Sequence, residues 1–318
     1  MKRYKKLCLE AGTGITFEVE EKNKGELIIR SKLIFDDEDD YYFKKYVKDA
    51  KYQNLPIPEG YKYVYGDVYN GYVIERCSDG SQFVWVPVKF LVPDGTLDGK
   101  SFKKKFGRRY YSVRRENADS SNEFYENLTD ELLAQIESVR MYGGFYISRF
   151  YISRSKDGKP QSVKGCIPWT DITCKDAKKV ASTFENNDNV KSHLTFGAEY
   201  DSVVSWFLMA KELDLRELTG EKFYIEISDF GHYHGMGKVF TGGNEQWCIK
   251  NIYDFQGNVR EWTQERWTYL SQKSEFHDSY IARGGSYFEP EFCIERDSLK
   301  GEYKDVGFRI VLWLSNRV

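Results

Sequence analysis

Two carboxylates flank a turn in the stretch NIYDFQGNVREWTQE, residues 251–265. Gly257 and Asn258 suit a tight turn in which φ is positive. Such a turn can aim backbone carbonyls inward, between the side chains of Asp254 and Glu261. Carboxylates and carbonyls that converge on one loop are the ligands that a hard cation prefers. The alternative is a carboxylate-capped turn without an ion, with Trp262 packed in the core, and the residues favour the two about equally.

Other patterns that carry catalysis are sparse. The chain contains no GxSxG, P-loop or GxGxxG motif, and its cysteines include no CxxC pair. His232 and His234 lie two apart in GHYHGMG, so both would point the same way on an extended segment and could begin a metal site. Histidines flanked by glycines in a loop are more often solvated turn residues, and we favour that interpretation. The cysteines are Cys8, Cys77, Cys166, Cys174, Cys248 and Cys293, and the other two histidines are His193 and His277.

The composition narrows the class of protein. The chain has 318 residues and a net charge of -2, so no global field attracts nucleic acid or membrane. No stretch reaches the roughly 20 apolar residues of a membrane span, and no secretory signal follows the basic start. We therefore expect reduced thiols and a cytoplasmic or virion-associated protein. The aromatic fraction of 16% is high, which suits a loop-rich core and also a binding surface.

The elements that would position these residues fall into two parts. Residues 1–52 form a small N-terminal element, with a hairpin around Lys24 and Gly25 and a short helix after the acidic run at residues 36–40. The proline-containing stretch LPIPEG, residues 55–60, is typical of a linker. Residues 53–318 form the second part, a mixed α+β domain in which short strands are separated by glycines.

Three helices are predicted in the second part, each with a core face and no assigned chemistry. The first has Thr129 as its N-cap and ends at Gly143 and Gly144. The second begins with Thr173 and Asp176 in a capping-box arrangement. The third follows from the helical spacing of apolar residues in AEYDSVVSWFLMA, residues 198–210. The predicted strands include YKYVYGD, GYVIER and QFVWVPV.

Seven stretches together resemble the formylglycine-generating, or sulfatase-modifying factor, family. In chain order they are FVWVPV, YGGFYISRFYIS, IPWTDITCKDAKKVA, LTFGAEYDSVVSWF, NIYDFQGNVREWTQE, ARGGSY and VGFRIVL. The resemblance covers roughly residues 55–318 and implies a C-type-lectin-like fold. It also implies calcium in the loop, held by the side chains of Asp254 and Glu261 and the carbonyls of Gly257 and Val259. Non-catalytic bacterial and phage proteins, including variable proteins diversified by retroelements, share this fold, so fold alone does not assign function.

The catalytic residues of the family do not carry over. Its oxidising members bind copper through two cysteines after the Gly-Gly-Ser segment, and soft thiolates suit that ion. Here Glu289 occupies the first of these positions, and only Cys293 lies near the second. The iron-dependent sulfoxide synthases of the family use an HxxxHxE helix, which the four histidines do not form. We therefore expect neither copper nor iron.

The resemblance points instead to binding between the anchors RGGS and GFR. The predicted ligand-binding residues are Tyr287, Phe288, Glu289, Glu291, Phe292, Glu295, Asp297 and Tyr303. Gly284 and Gly285 would allow close backbone approach, and Arg309 would pair internally. We expect a protein or glycan surface as the ligand, bound by a non-catalytic receptor-binding protein of phage, prophage or retroelement-diversified origin. Two alternatives stay open, an oxidoreductase of the family with an atypical site and a structural subunit of a phage-like particle.

A second candidate surface is the basic loop from Lys103 to Arg115. It interleaves seven basic residues with aromatic ones, a composition typical of grooves for single-stranded nucleic acid. An exposed loop whose charge is balanced by the acidic run at residues 36–40 explains it more simply. Nucleic acid is therefore not the expected partner.

Overall fold

Capping residues begin the first two helices where the sequence predicts them. The computed structural model describes residues 15–22, 26–33, 55–68, 70–88, 122–125, 129–210, 237–255, 257–269, 279–288 and 296–315. Its helices are α1 (Asp130–Tyr142), α2 (Cys174–Phe184) and α3 (Gly197–Ala210). The Thr129 side chain accepts from the backbone of Leu132, and the Thr173 side chain accepts from that of Asp176. Gly143 ends α1 in the left-handed conformation, with φ of 83°, so both predicted N-caps and the predicted stop are confirmed.

The strands are short and numerous. In chain order they are β1 (Ile15–Lys22), β2 (Glu26–Leu33), β3 (Tyr61–Tyr65), β4 (Val73–Arg76), β5 (Gln82–Val86), β6 (Asn122–Tyr125), β7 (Phe145–Ser148), β8 (Ser153–Arg154), β9 (Pro160–Gln161), β10 (Val190–Leu194), β11 (Cys248–Ile249), β12 (Ile252–Tyr253), β13 (Arg260–Tyr269), β14 (Ser279–Arg283), β15 (Arg296–Leu299), β16 (Val306–Gly307) and β17 (Ile310–Leu314). A short 3-10 helix spans Glu245–Trp247. The predicted mixed α+β class is confirmed.

The N-terminal strands form a sheet of their own. β1 pairs antiparallel with β2, with Ile15 opposite Leu33 and Lys22 opposite Glu26, as the hairpin prediction requires. The division into residues 1–52 and 53–318 stays a prediction. The predicted linker contributes Leu55 to the core, and its Pro56 carbonyl accepts from the Tyr146 hydroxyl. The predicted helix after the acidic run, the basic loop from Lys103 to Arg115, and His232 with His234 lie outside the described residues.

A six-stranded antiparallel sheet separates two hydrophobic cores. Its order is β10-β17-β7-β5-β4-β3. Alternate residues of β5 point to opposite sides: Val84 and Val86 join the core that contains α1 and α3, whereas Phe83 and Trp85 join the core that contains α2. Because β5 is covered on both faces, its residues 83–86 are all apolar rather than alternating with polar ones.

In a second sheet, the strand that follows the turn at residues 254–261 pairs with a strand near the end of the chain. Its strand order is β15-β14-β13-β16, and β6 also pairs with β13. β13 runs parallel to β16, with Arg260 beside Val306 and Glu261 beside Gly307. β14 pairs antiparallel on the other side of β13, with Arg283 opposite Glu261. The register therefore places the GNVRE, ARGGS and VGFR stretches next to one another.

Candidate functional site

The turn at residues 254–261 is tied by its backbone to the segment after β14. Gly257 adopts φ of 105°, a conformation that favours glycine. Its N–H donates to the carbonyl of Gly285 at 3.2 Å, and the Tyr287 N–H donates to the carbonyl of Asn258 at 3.2 Å. Asp254 also has a positive φ, of 56°. The predicted tight turn is therefore present, and it supports the backbone that carries Tyr287.

Asn258 links this turn to a third segment. Its side chain is fully buried. The Oδ1 atom accepts from the Val239 N–H at 3.1 Å, and the Nδ2 atom donates to the Val239 carbonyl at 3.0 Å. The amide thus replaces one step of a strand ladder, and a buried amide needs partners of this kind. Its role comes from this pairing as well as from its tolerance of turn geometry.

Arg309 fills the space beside the turn. It is fully buried, and its Nε donates to Glu261 Oε1 at 2.7 Å. Its other nitrogens donate to the carbonyls of Ser148, Arg149 and Tyr253. Burial alone would lower the pKa of Arg309, but Glu261 and neighbouring groups raise it above its usual value. The predicted internal pairing of Arg309 is confirmed, and Glu261 is its partner.

Three of the four predicted calcium-binding residues already accept hydrogen bonds. Asp254 Oδ2 accepts from the Thr241 hydroxyl at 2.9 Å and from the Gly242 N–H at 2.7 Å. The Val259 carbonyl accepts from the Tyr151 hydroxyl at 2.6 Å, and Glu261 accepts from Arg309. These contacts tie the loop to Thr241, Gly242, Tyr151 and Arg309. Glu261 Oε2 has no hydrogen-bond partner among the described residues, so an ion could contact it.

The charge of the cluster bears on the calcium prediction. Burial raises the pKa of Glu261, while the Arg309 guanidinium opposes that shift. A cation beside Glu261 would share the carboxylate with Arg309, and two positive charges so close in a buried site repel one another. Calcium at Asp254, Gly257, Val259 and Glu261 therefore stays a prediction, as does its alternative, the capped turn. The described residues contain no group of three or more His, Cys, Asp or Glu side chains placed to hold a metal.

The backbone after β14 is fixed by a second buried network. The Ser286 hydroxyl donates to Asp305 Oδ2 at 2.8 Å, and Arg260 donates to the same oxygen at 2.7 Å. A second nitrogen of Arg260 donates to Asp297 at 2.7 Å. Asp297 was predicted to contact ligand, and the structure places it in this ion pair with its side chain 25% exposed. Its carboxylate therefore holds Arg260 in place.

The predicted ligand-binding residues that the structure describes lie close together. The Phe288 ring is 59% exposed, and the Lys304 ammonium lies 5.2 Å from its centre. Tyr287 is half-buried. Tyr303 is also half-buried, packs edge-on against Trp262 and donates from its hydroxyl to the Lys300 carbonyl. We call Tyr287, Phe288, Tyr303 and Lys304 the aromatic face. Glu289, Glu291, Phe292 and Glu295 lie outside the described residues.

One comparison with known proteins bears on this site. The family model "Sulfatase-modifying factor enzyme 1-like domain" matches residues 245–314. The matched range contains the turn, Arg309 and the aromatic face, and it supports the resemblance to the sulfatase-modifying factor family. Searches of curated proteins and of solved structures found no match to the chain. The resemblance to retroelement-diversified variable proteins stays a prediction.

None of the described cysteines occupies the sequence positions that match the copper-binding cysteines of the resembling family. Cys77, Cys166, Cys174 and Cys248 are free thiols. Burial raises the pKa of the Cys174 thiol well above its usual value, so Cys174 is a core residue rather than a nucleophile. His193 is fully buried, and its Nε2 lies 2.8 Å from Glu199 Oε1, which makes it part of the core. None of these residues adjoins Phe288 in the contacts described above.

Sequence reasoning missed two residues that hold the site and the partner of a third. The Tyr151 hydroxyl donates to the turn, and Asp305 accepts from Ser286 and Arg260. Asn258 was expected in the turn, but its pairing with Val239 was not. All lie in or near stretches that carry the family resemblance, yet their partners are distant in the chain. No spacing within a single segment identifies such pairs.

Proposed function

We propose that the chain is a non-catalytic ligand-binding protein that uses a C-type-lectin-like, sulfatase-modifying-type scaffold. Its ligand contacts the aromatic face, and the protein or glycan surface that it recognises belongs to a receptor. The observation that carries the proposal is the exposure of Phe288. Among the described large hydrophobic side chains it is the most exposed, at 59%. Aromatic side chains of this kind dominate binding energy where they become buried by a partner.

The hydrogen-bonded backbone that carries Phe288 supports this proposal. The Phe288 N–H donates to Ser286 Oγ at 3.2 Å, and Ser286 is in turn held by Asp305. Tyr287 is held by Asn258, as described above. A side chain on a backbone with this many hydrogen bonds loses little conformational entropy when a ligand binds, so more of the contact energy appears as affinity.

The side chains of the aromatic face indicate which chemical classes of ligand it could bind. Phe288 offers an apolar ring, Lys304 a cation beside it, and Tyr287 a phenol close by. Burial raises the pKa of Tyr287, and Asp305 and Asp171 raise it further, so its hydroxyl stays protonated and can donate. Rings with flanking donors suit the apolar face and hydroxyls of a sugar, or an aromatic or aliphatic side chain of a protein.

The residues at the family's copper positions favour binding over catalysis. Glu289 stands where the first thiolate is needed, and one thiol at Cys293 cannot supply two sulfur ligands. We therefore place the protein among the binders of this fold, with a phage or prophage origin and a virion-associated location as part of the proposal. A reverse transcriptase gene with a template repeat, or tail genes, beside the coding sequence would support that origin.

Footprinting tests the proposed function. Immobilised glycans and displayed peptide libraries provide ligands, and hydroxyl-radical labelling then reports which side chains a ligand covers. We expect Phe288 and Tyr287 to lose labelling in the complex, while the exposed Met141 of α1 keeps it. Ligands that protect other surfaces and leave Phe288 fully labelled would refute the assignment of the site.

A further inference from the structure

Arg149 differs from the other buried arginines in the described part of the chain. Four arginines there are less than a tenth exposed. Arg260, Arg283 and Arg309 each form an ion pair with one or two carboxylates. Arg149, 7% exposed, forms no ion pair with the described residues. A buried charge without a counter-charge is costly, so this exception calls for a physical reason.

Two neutral acceptors hold the Arg149 guanidinium in place. Its Nε donates to the Asn251 carbonyl at 3.0 Å, and its Nη1 donates to Gln82 Oε1 at 2.7 Å. A guanidinium has five N–H donors. Three of them therefore make no hydrogen bond to the described residues, although the group is fixed. A planar guanidinium with a fixed orientation and free N–H donors is suited to an oxyanion, because an oxyanion can accept from two donors at once.

Three aromatic rings surround this guanidinium. Its central carbon lies 5.0 Å from the ring centres of Tyr65 and Phe150 and 5.1 Å from that of Tyr253. Phe150 and Tyr253 are stacked on each other at 5.2 Å. The rings attract the cation, which offsets part of the cost of burial. They also lower the polarity around the group, and a charge pair formed beside them is stronger than one in bulk solvent.

The rim of this recess carries one more cation and one anion. Lys164 lies 5.4 Å from the Tyr253 ring and pairs with Glu245. Glu245 also accepts from the Tyr253 hydroxyl. Tyr65 stands at the surface, 38% exposed. Arg149 and Lys164 together give two positive charges against the single negative charge of Glu245, so the recess has a net positive charge.

We propose that Arg149, with Lys164 and Tyr65 at the rim, binds a small oxyanion such as a carboxylate or a phosphate group. Arg149 supplies its free N–H donors, Lys164 supplies a second positive charge, and the Tyr65 hydroxyl supplies one more hydrogen-bond donor. Glu245 competes with the bound oxyanion, because its carboxylate already forms an ion pair with Lys164. This site uses other residues than the aromatic face, and it stands whether or not the aromatic face binds a ligand.

The rim residues allow a test that does not disturb the core. Acetate and phosphate are titrated into the full-length protein at constant ionic strength, with binding followed by calorimetry and by the thermal midpoint. We expect saturable binding of at least one of the two anions, and the preferred anion tells carboxylate from phosphate recognition. Removing the competing charge in Glu245→Gln should tighten binding roughly threefold, and Lys164→Ala should weaken it by a similar factor.

A matched control separates a site from general charge effects. Lys191 is also an exposed lysine beside an aromatic ring, 5.5 Å from that of Trp313, and Lys191→Ala should leave the affinity unchanged. Arg149→Gln should abolish binding. If that variant does not fold, the two rim variants still decide the matter. Absence of saturable binding in the wild-type protein, or equal affinities in wild-type, Glu245→Gln and Lys164→Ala proteins, would overturn the proposal.

Discussion

Arg309 and Glu261 form an ion pair across 2.7 Å, and their side chains are 0% and 1% exposed. Glu261 lies in β13, and Arg309 lies between β16 and β17. The pair therefore lies where the two largest described sheets meet, beside the turn. Breaking such a pair leaves an uncompensated charge in the interior, which is strongly destabilising.

Replacing Arg309 with lysine should destabilise the protein by at least about 2 kcal/mol. A lysine keeps the charge, but it cannot reach Glu261 and three carbonyls in the same planar arrangement. Chemical denaturation measures the change in the free energy of unfolding. Lys62→Ala, which removes a solvent-exposed ion pair with Glu75, is the control and should leave the midpoint unchanged. Equal midpoints for the Arg309→Lys and wild-type proteins would contradict the importance of this pair.

Asn258→Asp should destabilise the protein by about 1–3 kcal/mol, although the side chain hardly changes in size. The aspartate loses the donor to the Val239 carbonyl and brings a buried negative charge. Thermal denaturation of this variant gives the measurement. Asn244→Asp is a suitable control, because Asn244 Oδ1 accepts from the Gln246 N–H and aspartate can accept in the same way. A variant at position 258 as stable as the control would show that the Val239 pairing contributes little.

Chelation should leave the melting temperature unchanged. Thr241 donates to Asp254, Tyr151 to the Val259 carbonyl and Arg309 to Glu261 Oε1, so protein donors already bind three of the four predicted ligand residues. Melting curves with EDTA and with added calcium provide the comparison. Calcium bound only to the native state would stabilise it by roughly 2.7 kcal/mol at a hundredfold excess over its dissociation constant. A fall in the midpoint with EDTA, absent in an Asp254→Asn, Glu261→Gln double variant, would establish the ion.

No aldehyde should form on a cysteine-containing sulfatase peptide incubated with the protein, copper and oxygen. Glu289 occupies the position at which the family needs its first thiolate. Mass spectrometry of the peptide gives the measurement, and Cys293→Ser is the comparison. A loss of mass that depends on Cys293 would show that the oxidoreductase alternative is right and the non-catalytic proposal is wrong.

Local features of the chain could be predicted because they depend on neighbouring residues. Thr129 and Thr173 cap the helices that follow them, and Gly143 ends α1. The positive φ of Gly257 follows from the Gly-Asn pair in the turn. The stretch QFVWVPV predicts a strand, and β5 lies within it. Each of these patterns acts within a few residues, where hydrogen-bond geometry and steric limits leave few choices.

Long-range pairings could not be predicted in the same way. Nothing near Asp297 in the sequence predicts its ion pair with Arg260, and its role as a ligand contact stays a prediction. Arg149 lies in the quoted stretch YGGFYISRFYIS, yet its lack of a carboxylate partner is visible only once distant segments are placed around it. Buried polar groups choose partners through the tertiary fold, so a single sequence leaves them open.

The affinity of a Phe288→Ala variant tests the central proposal most directly. The ligand is a glycan or peptide selected on the wild-type protein, and its dissociation constant is measured for the wild-type, Phe288→Ala and Met141→Ala proteins. Met141 is a matched control, because it is a large hydrophobic residue, 40% exposed, on α1. We predict binding at least roughly tenfold weaker for Phe288→Ala, unchanged binding for Met141→Ala, and equal melting temperatures for all three proteins. Equal dissociation constants for the wild-type and Phe288→Ala proteins would contradict the proposal that the aromatic face binds the ligand.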